Sequence, residues 1–312
     1  MKRRPCPFCC NESSNIFGTR ADQWVRCRSC RSVSRDITAE KFAQLHGEAF
    51  QDTRFVDSHI AASGFEPRSA LWDELALPGT SLLEIGPGTG HLLAAAHKAG
   101  RSVTAIESSE VHRAFIRETW GIRSLYPDIA AVPSGVSFDA VVAINVLEHV
   151  YDIASFLRSI AEVLAPNGVL FVSTVNASSL EAVLLRSWWS MCKAHDHVSF
   201  PSPDGMARAA QATGLRAERV WSTELPFELP VSALVAARDW ARARRGPSVA
   251  ASDGHLAESS AECVDTSSKA RLSRFYSISG QLDPTSRLLG ALGRAATVKA
   301  RLRLDETARL GS

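Results

Sequence analysis

From Ser69 onward apolar positions fall in two alternating rhythms. Short apolar runs of strand length, bounded by glycine, proline or small polar residues, give way to stretches in which apolar positions recur at helical spacing. The runs at 82–85, 102–106, 122–126, 138–145 and 168–174 predict five strands, and 219–223 and 297–302 are candidates for two more. Helices are predicted over 91–99, 111–120, 153–164 and 203–212, the third ending at the turn Pro166-Asn167-Gly168. Regular alternation of this kind predicts an α/β fold, a doubly wound and mostly parallel sheet with helices on both faces. The apolar run at 138–147, interrupted only by Asp139 and Asn145, belongs to a strand buried on both faces, whose carboxyl end delivers Asn145 to His149 to the rim of the sheet.

The first strand stops at Gly86-Pro87-Gly88-Thr89-Gly90 and a helical run follows at once. Alternating glycines there bare backbone where open α/β sheets hold ligands, because a residue without Cβ admits positive φ and close approach. Glu107 closes the second strand 21 positions after Gly86. That offset suits an acid meeting ribose hydroxyls. The spacing is GxGxG, not the GxGxxG of pyrophosphate binders, and Glu84 just upstream would repel phosphate. A carboxylate there suits an ammonium group, so the pattern favours a cationic ligand bearing a ribose, S-adenosylmethionine.

Composition narrows the partners. The 312 residues are 45% hydrophobic and carry a formal net charge of only +2, which offers no global basic field for nucleic acid. Met1-Lys2-Arg3-Arg4 has no apolar segment behind it and no run reaches the length of a membrane span, so a cytoplasmic enzyme is expected.

Five of the seven cysteines lie in the first 30 residues. Cys6-Pro7-Phe8-Cys9 and Cys27-Arg28-Ser29-Cys30 are two CxxC pairs with 17 residues between them, and together they offer a closed four-thiolate shell for one tetrahedral ion. We read a structural zinc ribbon, in which metal substitutes for a core that so short a segment cannot build. Cys10 could replace Cys9 in a slipped register, although the matched spacing favours Cys9. Thr38 followed by an acid marks the N-cap of a helix that leads from the ribbon to the core.

In order along the chain, GPGTG after an acid, an acid ending the second strand, FDAVVAINVLEHV, PNG before LFVSTVN, and HVSFPSPDGMARAAQATGL resemble a class I S-adenosylmethionine-dependent methyltransferase. Two CxxC pairs followed by DITAEKFAQLHGEAF are similar to the start of such enzymes with an N-terminal zinc ribbon. The resemblance covers roughly residues 6–225 and, more faintly, 281–302. It implies a Rossmann-like sheet of seven strands, the last antiparallel, in a chain organised as zinc ribbon 1–35, helical link 36–67, methyltransferase core 68–225, lid or insertion 226–280, and last strand with tail 281–312. It puts Gly86, Gly88 and Gly90 under the methionine part of the cofactor, Glu84 near its amino group and Glu107 on the ribose. Asp128 falls near the adenine amino group, or is a loop acid, and Asn145 flanks the cofactor beyond the fourth strand.

Methyl transfer to oxygen needs a proton acceptor, and three histidines compete. His149 matches the histidine of the family's LEHV-type motif, with a packed helix-start histidine as the plain alternative. His197 fits the histidine before the FxSP run, and His195 stands two positions earlier, where a solvated or substrate-orienting ring is the alternative. Asp196 could orient either ring. The stretches 184–191 and 225–240, with Arg242, Arg244 and Arg245, read either as core packing or as an apolar lid with an anion-receiving edge, and 246–270 as an inserted loop. The expected activity is methylation of a small-molecule acceptor on oxygen, a lipid, glycan or secondary-metabolite intermediate. Two alternatives stand beside it: an RNA methyltransferase that uses a ribbon made locally basic by Arg20, Arg26, Arg28, Arg31 and Arg35, although only Phe8, Phe17 and Trp24 offer stacking faces there, and a scaffold that keeps the fold without catalysis.

Overall fold

The computed structural model describes residues 3–18, 23–51, 77–194, 196–223 and 296–305. Seven strands form the central sheet: β4 (Ser81–Ile85), β5 (Ser102–Ile106), β6 (Leu125–Tyr126), β7 (Phe138–Ile144), β8 (Leu164–Val175), β10 (Leu215–Thr223) and β11 (Thr297–Leu304). Their spatial order is β10-β11-β8-β7-β4-β5-β6, and β11 runs antiparallel to both neighbours. The mostly parallel seven-stranded sheet with a reversed last strand is therefore present.

Side chains alternate across β7, so this strand feeds two cores at once. Val141 and Ala143 join Leu83, Ile85, Leu170 and Val172 on one face. Ala140 and Val142 join Leu82, Val103, Val169 and Phe171 on the other. Helices cover both layers: α2 (His91–Lys98), α3 (Glu110–Trp120), α4 (Ile153–Val163) and α6 (Pro203–Gln211). α4 buries Ile153, Leu157 and Ile160 at helical spacing and starts where the Asp152 side chain accepts the Ser155 N–H at 3.0 Å.

Element ends differ from the sequence reading in places. β6 has two residues, and β8 starts at Leu164 in place of Gly168. Leu164 pairs with Phe138, and the ladder resumes at Val169 opposite Ala140, so Pro166-Asn167-Gly168 bulges out of the strand without ending it.

The N-terminal segment builds a second sheet from β1 (Ser14–Ile16), β2 (Trp24–Cys27) and β3 (Val33–Arg35), finished by β9 (Ser199–Phe200) from the other end of the chain. Trp24 stacks on Phe200 at 4.8 Å, and Trp189 packs against Phe200 at 5.2 Å. α1 (Ala39–Gln51) follows, capped as expected by Thr38, whose Oγ1 accepts the Lys41 N–H at 3.3 Å. α5 (Leu180–Leu185) leads into the Trp189 region.

Candidate active site and cysteine cluster

The turn after β4 has the backbone its glycines permit. Gly86, Gly88 and Gly90 have φ of 64°, 55° and 74°. A Cβ on Gly86 would stand 2.7 Å from Val146 Cγ2, so the glycine turn and the segment after β7 touch at this point. Gly90 opens α2 without a side-chain cap, and Trp120 Nε1 donates to the Thr89 carbonyl at 2.8 Å, which pins the turn from α3.

Glu107, at the end of β5, is buried and reaches across to that turn. Its carboxylate accepts the Gly88 N–H at 3.3 Å and the Ser109 N–H at 2.9 Å. A carboxylate has about four acceptor sites, so capacity remains for hydroxyl donors. Glu84 is buried inside β4, two residues before the first glycine. Asn145 holds a positive φ of 54° while its N–H donates to the Ser173 carbonyl at 2.8 Å. Asp128 is exposed beyond β6 and caps a short 3-10 turn by accepting the Ala131 N–H at 2.9 Å. Glu84, Gly86, Gly88, Gly90, Glu107, Asp128 and Asn145 thus all lie in or after the carboxyl ends of four parallel strands.

A 3-10 turn, Leu147–His149, follows β7. His149 Nδ1 lies 3.1 Å from Asp196 Oδ2, and the His149 and His197 rings meet edge to face at 4.8 Å. His197 Nδ1 lies 2.9 Å from the Met191 carbonyl. The structure therefore brings His149 and His197 together, while His195 lies outside the described residues. Beneath them Glu148 is buried, and its carboxyl accepts the Thr174 hydroxyl at 2.6 Å. Burial pushes the Glu148 pKa up against the opposing effects of His149 and Thr174. Donor atoms of Glu148, His149 and His197 all lie within 4.8 Å of one another.

Sequence reasoning passed over Glu148 and left Asp196 without a fixed partner. The signal for Glu148 was its place inside the LEHV run, one residue from a candidate base. Nothing local pairs Asp196 with His149, since 47 positions separate them.

The four predicted cysteines converge. Cys6, Cys9, Cys27 and Cys30 place their sulfurs within 4.8 Å of one another, with Cys6 to Cys30 and Cys9 to Cys27 both 3.6 Å apart. These separations are far beyond the roughly 2.05 Å of a disulfide. The Cys6–Cys30 hydrogen bond pushes the Cys6 thiol up and draws Cys30 down to about 5. Cys10 is exposed and stands apart from this group.

Burial decides between the alternatives for two apolar groups. Trp189 is 1% exposed, and its Nε1 donates to Glu181 at 3.3 Å, so this part of 184–191 is core packing and not lid. Phe8, Phe17 and Trp24 are 1%, 2% and 1% exposed, which leaves none of them a face on which a base could stack. Residues 225–240 and the arginines at 242, 244 and 245 lie outside the described residues. No helix among the described residues is long and apolar enough to cross a membrane.

This strand order, with a glycine turn after the first core strand and an acid after the second, defines a Rossmann-like class I methyltransferase. Residues 55–220, more than half of the chain, match the family described as "Methyltransferase domain", and the chain belongs to it as an S-adenosylmethionine-dependent methyltransferase. It is 30% identical over 178 residues to a "Ubiquinone biosynthesis O-methyltransferase" of Methylobacterium sp., covering 53% of this chain and 71% of that relative. A protein of the same description from Colwellia psychrerythraea is 27% identical over 220 residues, 65% of this chain and 86% of the relative. Among solved structures, a SAM dependent methyltransferase from Archaeoglobus fulgidus aligns at 12% identity with a TM-score of 0.45, covering 75% and 91% of the two chains.

Proposed function

We propose that this enzyme methylates a hydroxyl oxygen of a small-molecule acceptor in the cytoplasm, with the glycine turn as cofactor cradle and the turn after β7 as the acceptor side. The observation that carries the reading is the approach of Gly86 to Val146, which brings the two turns to one edge of the sheet. The relatives described as O-methyltransferases support oxygen as the acceptor atom. When bound, S-adenosylmethionine supplies a methyl group on a positively charged sulfur. Gly86, Gly88 and Gly90 would lie under its methionine part, Glu84 beside its amino group, Glu107 on the ribose hydroxyls, Asp128 near the adenine amino group and Asn145 against its flank. Such alignment contributes up to about 7–11 kcal/mol in favourable systems, and a base adds about 10²–10⁴-fold. His149, His197 and His195 are the candidate bases.

The four-cysteine module takes one structural zinc in this reading. Sulfurs held tetrahedrally at about 2.3 Å from zinc stand about 3.8 Å apart, close to the 3.6 Å pairs of this cluster. A shell of four thiolates leaves no position for water, which suits a structural role. The module at 1–35, its link at 36–67 and the core at 68–225, closed by the last strand, are the working units of this organisation.

Calorimetry with S-adenosylhomocysteine tests the cradle. Wild type should bind with one site per chain, and Gly88→Arg should not. Equal binding by that variant, or none by wild type, would remove the glycine turn from the proposal.

A further inference from the structure

His149 is surrounded from three directions. Its own turn supplies Glu148, the loop before β9 supplies Asp196 and His197, and α1 supplies His46, whose basicity is lowered by burial and then by charge on His149. The Arg35 charge on β3 also acts on His197 and disfavours its protonation. Of these neighbours, Asp196 places Oδ2 3.1 Å from His149 Nδ1, an ion-pair distance without the angle of a hydrogen bond. His197 turns its own Nδ1 to the Met191 carbonyl at 2.9 Å, and since a carbonyl only accepts, that nitrogen carries the hydrogen.

Two imidazoles in edge contact resist holding two positive charges, so the nearest carboxylate decides which ring takes the proton. We propose that Asp196 is a positioning residue that fixes His149 as the proton acceptor of the transfer step, while His197 stays neutral beside it. This rests on the oxygen-acceptor reading above. With Asp196 at 3.1 Å, a small turn of the ring completes an Nδ1–H to carboxylate bond, which keeps the His149 hydrogen on Nδ1 and leaves the Nε2 lone pair to accept. In the step itself the acceptor hydroxyl gives its proton to His149 Nε2 and its oxygen forms a bond to the methyl carbon. The carbon–sulfur bond breaks with its electron pair retained by sulfur, which becomes a neutral thioether. The positive charge lost from sulfur is matched by the imidazolium, and Asp196 faces that imidazolium.

The electrostatics agree with this division. Burial disfavours charge on both rings, but at His149 the adjacent Asp196 carboxylate, helped by Glu148, outweighs it and raises the pKa. At His197 burial, reinforced by charge on His149, lowers the pKa to about 4. Asp196 is held near 2 against its own burial by the same contact.

The test is a ¹⁵N NMR titration of histidine-labelled, ligand-free protein, with resonances assigned from His149→Gln and His197→Gln. His149 should titrate above the ordinary value of about 6.5 and carry its hydrogen on Nδ1 at high pH, and His197 should titrate far lower. Asp196→Asn should lower the His149 midpoint by about a unit or more, and Asp196→Glu should restore most of it, with S-adenosylhomocysteine binding retained in both as the check on folding. An unchanged midpoint in Asp196→Asn, or the hydrogen on Nε2, overturns the proposal. If neither variant folds, a wild-type His149 midpoint at or below 6.5 overturns it instead.

A second arm follows tritiated methyl transfer to a panel of phenols and catechols. The acid limb of kcat/KM should move to lower pH in Asp196→Asn, and a stationary limb removes His149 as acceptor. If no phenol or catechol is methylated although S-adenosylhomocysteine binds, the oxygen reading fails while the titration still decides the role of Asp196. A second divalent ion per chain that is lost in His149→Ala would make these side chains ligands and would also overturn the assignment.

Discussion

The Val198 N–H donates to the Glu148 carbonyl at 2.7 Å, and the Val198 carbonyl in turn accepts the Arg35 N–H at 2.9 Å. Main-chain bonds therefore run from β3 of the cysteine module to the turn that carries His149. Ser202 extends the link, since its hydroxyl donates to the Cys30 carbonyl and its N–H donates to Ser32 Oγ at 3.0 Å.

Loss of the proposed zinc should be felt at both ends of this connection. Cys27→Ser is expected to reduce metal content from about one zinc per chain to none and to lower the thermal midpoint. Because the bonds from Cys30 and Arg35 lead to the histidine turn, turnover should fall further than S-adenosylhomocysteine affinity. Metal analysis with calorimetry on the same preparation checks this, and a metal-free wild type of full thermal stability would contradict it.

Glu107 braces the glycine turn by accepting from Gly88 and Ser109. Hydrogen bonds to a charged group contribute about 1.5–3 kcal/mol each, so Glu107→Ala should weaken S-adenosylhomocysteine by about tenfold to a hundredfold. Glu107→Gln keeps an acceptor and should lose less. Calorimetry reads both.

At Gly205 the module and α6 come so close that a Cβ would overlap the Ser32 hydroxyl. Overpacking of this kind costs about 1–3 kcal/mol, and Gly205→Ala should lower stability to urea by that amount. Adding Ser32→Ala removes the obstructing oxygen. The double variant should therefore be less destabilised than the sum of the two singles, a non-additivity that a double-mutant cycle measures.

His197 gives stability a particular pH dependence. Its folded pKa of about 4 lies below the unfolded value, so its contribution is complete above about 6.5 and is lost as pH falls from there toward 4. His46 works in the same direction. His149 and Glu148, both raised, contribute at low pH and lose that contribution as pH rises through their folded values. The clean comparison is therefore His197→Asn against wild type. Urea unfolding at pH 7 and pH 5 should show wild type losing more stability between the two than the variant.

How far the sequence reaches depends on how local each signal is. The glycine turn was legible because three glycines at alternate positions each take positive φ, and β7 because both of its faces are apolar. Thr38 was legible as a cap for the same reason, a short-range rule satisfied by its own neighbours. β9, with only two residues, is too short to carry a period, and it pairs with a strand about 165 positions away. Trp189 stayed open between lid and core because an apolar run after a core strand reads the same whether it covers a site or fills a core. The deciding partners, Glu181 and Phe200, become visible only once the chain is folded.

Those two residues of β9 bear on how the chain can be rearranged. The catalytic half contributes the fourth strand of the small N-terminal sheet, so a graft of the cysteine segment onto another methyltransferase would arrive with an open edge. A chimera that exchanges this segment would have to carry the 196–205 stretch along with it.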